Sequence, residues 1–241
     1  MKKNKLNLDY WLRKVFVTKI FQKFFKDKSL LRKAVFTSIF KSKHWLHSDQ
    51  PEEYSSVSGP GSNINTEQTN KLILSLVDFI LKHKITSILD MPCGDFLWMN
   101  KLLEKSNISH YLGVDIVDEL ISRNIKLYQK DQIKFKAFDI VDFETSESFD
   151  LVLMRDFFIH TNNKDIRKIL LNIKEMNIKY FAFENYEISN NIDVTTGKHR
   201  KINLKINPFN LPEPFYSFRD HEFDKYIYIY EKEALNNLSK W

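Results

Sequence analysis

The chain reads TSILDMPCGDFLWM at residues 86–99, a short β-type run followed by a tight turn and the start of a helix. Ile88 and Leu89 indicate a buried strand that ends at Asp90, and Pro92 and Gly94 predict the turn. In an open α/β sheet, the crevice between the end of a strand and the following helix is where nucleotide-like ligands bind. This stretch therefore predicts both the fold class and the position of a ligand site.

Strand-type and helix-type segments alternate along the chain, which argues for parallel βαβ units with right-handed crossovers. The alternating tail YIYIYEK, residues 226–232, predicts a strand late in the sheet. We expect an α/β, Rossmann-like sheet that is mostly parallel, with a late antiparallel strand and an N-terminal helical appendage. The predicted helices are 65–84, 95–105, 117–129 and 164–175, and the predicted strands are 86–91, 110–115, 134–139, 149–154 and 179–184.

The composition is that of a globular protein. The 241 residues are 43% hydrophobic and include twenty Phe and ten Tyr, which is enough to bury a full core. No apolar run approaches the roughly 18 residues needed to cross a bilayer, and the amino terminus lacks the apolar stretch of a secretion signal. A single cysteine excludes an internal disulfide framework and metal clusters built on several thiolates. We expect a cytoplasmic location and no metal site.

Positive charge is concentrated in the first fifty residues. They hold thirteen Lys/Arg against three Asp/Glu, a balance of +10, so the rest of the chain carries −4 of the net +6. The polar, Gly/Pro/Ser-rich stretch 47–66 predicts a boundary between a basic helical segment, 1–50, and the main domain, 51–241. A helix is expected around 12–24 and a second over 29–41, since apolar residues recur every four positions at Leu12, Phe16, Ile20 and Phe24.

The sequence allows three alternative roles for this basic segment. Its helices pack on the main domain with a solvated basic face, close as a lid over an anionic substrate, or contact a membrane surface or a partner protein. No recognisable nucleic-acid module accompanies the charge, so we do not expect a nucleic-acid partner.

Acidic residues follow the second and third predicted strands. Asp115 ends the second strand, where a carboxylate can accept both hydroxyls of a ribose. Capping of the next helix is the alternative role of this residue. Asp139 ends the third strand and is followed by the apolar Ile140, and a helix cap or a loop acid is the alternative here too.

The fourth predicted strand ends in a group of polar residues. Arg155 and Asp156 follow its apolar run, and His160 comes four residues after Asp156. If this segment is helical, Asp156 and His160 share one face, and the pair could orient a hydroxyl and accept its proton. Histidine suits this role because its pKa lies near neutrality. The alternatives are a structural histidine that bonds a backbone carbonyl, and an Arg155 that either pairs with an acid or holds an anionic substrate.

These motifs, in this order, resemble the class I methyltransferases that depend on S-adenosylmethionine (SAM). LDMPCGD, YLGVDIV, FDI and DLVLMRDFFIH are similar to a bacterial subgroup associated with surface-polysaccharide (capsule and lipopolysaccharide) biosynthesis. The stretches SVSGPGS, 56–62, and NNIDVTTGKHRKINLKINPFNLPEP, 190–214, also resemble that subgroup, so the similarity spans roughly 45–232. The chain departs from the usual pattern at Pro92 and Phe96, where glycines often stand, at Met91 and Met154, and at Lys198–His199.

The loop itself favours SAM over a dinucleotide. A pyrophosphate needs several glycines so that the backbone can approach it at a helix terminus, and this loop has one. Asp95 at the helix entrance would repel a pyrophosphate but tolerates a cationic amino-acid sulfonium. We therefore predict SAM as the cofactor, with S-adenosylhomocysteine (SAH) as its product.

The resemblance also implies a set of site residues. Asp115 matches a ribose acceptor, Asp139 an acceptor for the adenine amino group, and Ile140 a contact of the adenine ring. His160 is the predicted base toward the acceptor, and Asp156 is its orienting partner. The loop 58–62 contacts the cofactor or the acceptor, or is a plain linker. The predicted cofactor-binding residues are Ser62, Asp90, Pro92, Gly94, Asp95, Trp98, Asp115, Ile116, Asp139, Ile140 and Arg155.

The acceptor is predicted only by class. The long irregular segment 186–214 carries a basic cluster that would suit an anionic acceptor, and a solvated charge run is equally consistent. We expect O-methylation of a small carbohydrate-derived molecule, or of one that bears a phosphate or phosphoramidate group. Methylation of a protein or RNA, and a non-catalytic SAM-binding role, are the alternatives, and the oligomeric state is not predicted. The predicted substrate-binding residues are Arg155, Tyr186, His199 and Arg200, with Lys201 beside them.

Overall fold

The computed structural model describes residues 2–46, 55–220, 224–236 and 238. The helices are α1 (Lys2–Phe16), α2 (Lys19–Phe24), α3 (Lys28–Lys41), α4 (Glu67–Lys82), α5 (Leu97–Leu103), α6 (Asp118–Tyr128) and α7 (Asn163–Glu175). The strands are β1 (Ser87–Asp90), β2 (His110–Asp115), β3 (Ile133–Ala137), β4 (Phe149–Met154), β5 (Ile178–Tyr186), β6 (Tyr216–Arg219) and β7 (Lys225–Glu231). No helix in this part of the chain is long and apolar enough to cross a bilayer.

The described strands form one sheet in the order β3-β2-β1-β4-β5-β7-β6. The first five pair in parallel, and β7 lies antiparallel between β5 and β6. The chain moves outward from β1 to β3 and then crosses back to place β4 on the other side of β1. The carboxyl ends of β1 and β4 therefore flank a topological switch point, which is where open α/β sheets bind their ligands. The predicted fold class is confirmed, including the late antiparallel strand and the N-terminal helices.

Three local features differ from the prediction. β6 has no counterpart among the predicted strands, because four residues are too few to show a clear alternation. β3 ends at Ala137, since the Asp139 side chain accepts the Val141 N–H at 3.1 Å and starts a 3₁₀ turn. The apolar repeat over 12–24 is divided between α1 and α2, because the hydroxyl of Thr18 caps α2 by accepting the Phe21 N–H.

Both faces of the sheet are covered by helices. Alternate residues of a strand point to opposite faces, so Ile88 packs in the apolar cluster of α4 and α5, while Leu89 packs in the cluster of α3 and α7. α3 contributes fully buried side chains, Val35 and Ile39 among them, to this second cluster. The core of the main domain therefore includes a helix from the basic segment 1–50.

Phe96 takes a strained backbone conformation in the turn after β1. Its φ of 65° lies in the left-handed region, which L side chains rarely adopt. Its ring is fully buried and lies 5.0–5.1 Å from the rings of Tyr111, Tyr128 and Phe135. The burial of the aromatic ring offsets the cost of this backbone conformation.

Two variants at Phe96 should separate these effects. Phe96→Ala should lower the free energy of unfolding by about 3–5 kcal/mol, because it leaves a cavity in the core. Phe96→Gly loses the same ring but accepts the positive φ freely, so it should be about 1 kcal/mol more stable than the Ala variant. Urea unfolding followed by circular dichroism measures both. An Ala variant that equals or exceeds the Gly variant in stability would contradict backbone strain at this position.

Candidate active site

A cleft lies at the carboxyl ends of β1, β2 and β4 and is closed on one side by α3. Its volume is about 940 Å³ with the open mouth included. The predicted site residues that line it are Ser62, Pro92, Gly94, Asp95, Trp98, Asp115, Ile116, Asp139, Ile140, Arg155, Asp156 and His160. Ser58 of the predicted loop 58–62 lines it as well. Sequence reasoning gave no site role to the other lining residues, which are Arg32, Phe36, Phe40, Trp45, Val57, Cys93, Val117, Leu120 and Phe157.

The turn after β1 is fixed by close backbone contacts. The Gly94 N–H donates to the Asp115 carboxylate at 3.3 Å, and the Gly94 carbonyl accepts from the Asn124 side chain at 2.7 Å. Gly94 has a φ of +53°, and a Cβ on it would lie 2.4 Å from the Ser58 hydroxyl oxygen. Glycine is therefore required here for two independent reasons, conformation and space.

Asp95 joins this turn to the loop that precedes α4. Its carboxylate accepts the Ser56 hydroxyl at 2.7 Å and the Val57 N–H at 2.9 Å, and its own N–H donates to the Ser58 hydroxyl at 3.0 Å. Burial raises the pKa of Asp95, and these hydrogen bonds oppose the rise. The segment 56–62 is thus held over the cleft rather than left as a free linker.

Asp115 presents a buried carboxylate at the end of β2. Burial raises its pKa to about 6, although the N–H groups of Val117 and Gly94 stabilise the ionised form. Asp90, by contrast, does not line the cleft. It lies beneath the turn, where its carboxylate accepts the Tyr111 hydroxyl at 2.7 Å and burial raises its pKa to about 7.

Arg32 on α3 ties the basic segment to the edge of the cleft. Its buried guanidinium contacts three carboxylates, those of Asp139 at 2.8 Å, Asp142 at 2.7 Å and Asp165 at 3.4 Å. Asp139, the predicted adenine contact, therefore also anchors α3. Nothing local in the sequence indicates this contact, because the partners of Arg32 lie more than a hundred residues away.

A second group of buried charges lies behind the cleft. Arg155 contacts Asp156 and Asp220 at 3.1 Å each, and Lys225 contacts the same two carboxylates at 2.6 and 3.0 Å. Burial opposes ionisation of Asp156, but Arg155 and Lys225 outweigh it and hold the pKa of this carboxyl well below its usual range. Arg155 also donates to the Gly61 carbonyl at 3.1 Å, so the group reaches the loop 56–62.

Glu184 in β5 fixes the chain direction after β4. Its carboxylate accepts the Asp156 N–H at 2.9 Å and the Ile159 N–H at 3.2 Å. Asp156 takes a left-handed φ of 55°, and only one 3₁₀ turn, Phe158–His160, follows it. The helix that would place Asp156 and His160 on one face is therefore absent. Both side chains still line the cleft.

His160 lies between the cleft and the loop 195–200. Its Nδ1 is 3.3 Å from the Lys198 carbonyl oxygen, and its ring stacks on Trp45 at 4.7 Å. A donor at Nδ1 satisfies that carbonyl and leaves Nε2 as the acceptor nitrogen of a neutral imidazole. Burial, helped by the neighbouring His199, lowers the pKa of His160 to about 4.

The predicted basic cluster is placed outside the cleft lining. Arg200 is buried, and its guanidinium donates to the carbonyls of Phe158, Thr161 and Ile192. Lys201 pairs with Asp224. The remaining two predicted substrate residues do not line the cleft either: Tyr186 is buried at the end of β5, and the ring of His199 lies 5.6 Å from that of His160.

Comparisons with known proteins agree with this geometry. The methyltransferase domain family matches residues 88–177. No protein of curated function matches the sequence. N-methyltransferase NodS from Bradyrhizobium japonicum WM9 in complex with SAH has a similar structure, with a TM-score of 0.57 and 14% identity over 80% of this chain and 97% of that one. Magnesium protoporphyrin IX methyltransferase (ChlM) from Synechocystis PCC 6803 with bound SAM is also similar. Its TM-score is 0.58 and its sequence identity is 11%, over 86% of this chain and 98% of that one.

A SAM-dependent methyltransferase from Clostridium acetobutylicum ATCC 824 gives a TM-score of 0.51 and 12% identity over 68% of this chain and 92% of that one. The described chain thus has the class I methyltransferase fold, and residues 88–177 match the methyltransferase domain family. Two of these structural neighbours hold SAH and SAM, the product and the cofactor that the sequence predicts for this chain.

The anchoring of α3 can be measured by replacing Arg32. Arg32→Met leaves three carboxylates without their shared cation, so it should lower the free energy of unfolding by about 3–5 kcal/mol. Lys33→Met on the same helix removes an exposed pair with Asp118 and should cost less than about 1 kcal/mol. Thermal and urea unfolding give both values. Equal losses in the two variants would show that the Arg32 contacts do not hold α3.

Proposed function

We propose that this chain, whose residues 88–177 match the methyltransferase domain family, transfers a methyl group from SAM to a hydroxyl on a small, ring-containing acceptor. The observation that carries this proposal is the cleft at the switch point of the sheet, where Gly94, Asp115 and His160 face one space. Each residue type suits one need of the reaction. Gly94 leaves the backbone open to the cofactor, Asp115 can accept hydrogen bonds from the ribose hydroxyls, and His160 can accept a proton.

The residues of the cleft suit SAM. Asp115 would accept the ribose hydroxyls, and Ile116 and Ile140 offer apolar surface to the adenine. Arg155 and Ser62 would face the amino-acid end of the cofactor, beside the tight turn at Gly94. A side chain at Gly94 would collide with Ser58, so the glycine lets the loop 56–62 pack directly on this turn.

Bound SAM supplies an activated methyl group, so the protein mainly has to align the acceptor oxygen with that group. His160 is our candidate base. Its lowered pKa keeps the ring neutral at physiological pH, and the Lys198 carbonyl fixes the tautomer that leaves Nε2 free to take a proton. Asp156 stays ionised at the edge of the same cleft, where it would orient the acceptor or compensate the positive charge of the cofactor.

The cleft favours a neutral acceptor among the predicted classes. Among the described lining residues the two arginines, Arg32 and Arg155, already pair with carboxylates. The wall opposite the sheet is aromatic, with Phe36, Phe40 and Trp45. These surfaces suit the apolar face of a sugar ring better than a phosphate or phosphoramidate group. A role in surface-polysaccharide biosynthesis and the cytoplasmic location stay predictions.

Asp115 generates a testable dependence of SAM affinity on pH. The ionised carboxylate accepts two hydroxyls, so SAM should bind more weakly as the pH falls through about 6. Asp115→Asn should weaken SAM binding by roughly tenfold or more and remove most of this pH dependence. Calorimetric titration with SAM measures both, with NADH as the competing ligand class. NADH binding without SAM binding would overturn the cofactor assignment for this chain.

His160 can be separated from cofactor binding by its effect on turnover. His160→Ala should keep SAM affinity and lower methyl transfer roughly a hundredfold or more, while kcat/KM of the wild type stays level across neutral pH. His110→Ala, at the opposite end of the sheet, is the control. The assay uses methyl-labelled SAM with a panel of neutral sugars, sugar phosphates, RNA and protein. Unchanged turnover of His160→Ala at saturating acceptor would rule out His160 as the base. Methyl label on RNA or protein would show that the acceptor is a macromolecule rather than a small molecule.

A further inference from the structure

α1 presents a row of apolar side chains to solvent. Leu8, Trp11, Leu12 and Val15 are 60%, 57%, 38% and 46% exposed. Positions 8, 11, 12 and 15 fall on one side of a helix, because residues three and four apart are neighbours on its surface. Single exposed apolar residues are ordinary, but four on one stripe form a continuous face.

The other side of α1 is already attached to the protein. α1 packs against α3, and Phe16 near its end is packed against the main core. Just beyond it, the Val17 carbonyl accepts the Thr195 hydroxyl at 3.0 Å, and the Gln22 side chain donates to the carbonyls of Phe16 and Thr196 at 2.8 Å each. These contacts direct the exposed face away from the body of the domain.

Exposed basic residues lie on the same segment as the apolar face. Lys14, Lys19, Lys23 and Lys26 are exposed on α1, on α2 and just after α2, within a segment whose net charge is +10. Lys14 lies over the rings of Tyr10 and Trp11, at 4.5 and 5.3 Å from their centroids. Trp and Tyr with flanking Lys are the residues that favour the boundary between the acyl chains and the headgroups of a bilayer.

We infer that α1 is an interfacial helix that docks this protein on a membrane surface rich in anionic lipid. The apolar face would enter the headgroup boundary while the lysines contact the lipid phosphates. Nucleic acid would use the lysines but gain nothing from the leucines and Val15. A second copy of this chain would bring an equally basic surface against the first, and like charges disfavour that contact.

The test uses the whole chain and vesicles of phosphatidylcholine, with and without phosphatidylglycerol. We expect sedimentation with the anionic vesicles, weakened by salt, and little with the neutral ones. The double variant Trp11→Ser with Leu12→Ser should lower the partition coefficient by roughly tenfold or more, because each apolar side chain contributes to insertion. The matched control is Leu74→Ser with Leu81→Ser on α4, whose side chains are 60% and 49% exposed. It should bind like the wild type.

Every other outcome overturns the inference. A membrane role for α1 is excluded if the protein does not bind anionic vesicles. It is also excluded if the partition coefficient of the α4 control falls as much as that of the Trp11/Leu12 variant. RNA binding that the Trp11/Leu12 variant retains would assign the lysines to nucleic acid instead. A dimer in sedimentation velocity that becomes a monomer in that variant would assign the face to a second copy. Circular dichroism confirms that the variants fold, and SAM titration is independent of all these results.

Discussion

The cleft depends on a balanced group of four charges, three buried and one half-buried, that joins the end of β4 to the start of β7. Arg155 and Lys225 supply two cations, and Asp156 and Asp220 supply two carboxylates. Buried charges persist only when they are paired, so removing one member leaves another uncompensated in a dry interior. The balance keeps the Asp156 carboxylate ionised at the cleft and lets Arg155 hold the backbone of the loop 56–62 over the cleft.

The sequence predicts the part of this site that is locally encoded. Gly94 and Asp115 lie at a turn and at a strand end, and both positions can be recognised from neighbouring residues. Arg32 and Lys225 could not be found in this way. The partners of Arg32 are remote in the chain, and Lys225 begins a strand whose alternation predicts packing but not charge pairing. Such contacts arise only when the crossovers of the sheet bring distant segments together.

At two places, tertiary hydrogen bonds explain residues for which spacing or charge suggested another structure or role. The four-residue spacing of Asp156 and His160 suggests a helix, but Glu184 captures two N–H groups there and imposes a turn. The charge of Arg200 suggests an anionic ligand, but its guanidinium serves three backbone carbonyls. Buried backbone groups need partners, and a long donor side chain supplies them where regular structure ends.

The distribution of charge gives the two proposals a common physical logic. SAM carries a sulfonium, so a cleft with unpaired cations would repel it. In this chain each cleft arginine is paired with carboxylates, and the excess positive charge lies on the helices outside. Under the membrane proposal, anionic surfaces attract the outer helices. Under the proposed function, the cleft selects its acceptor by shape and aromatic contact. α3 connects the two regions, because Arg32 and Phe36 line the cleft and the same helix carries α1.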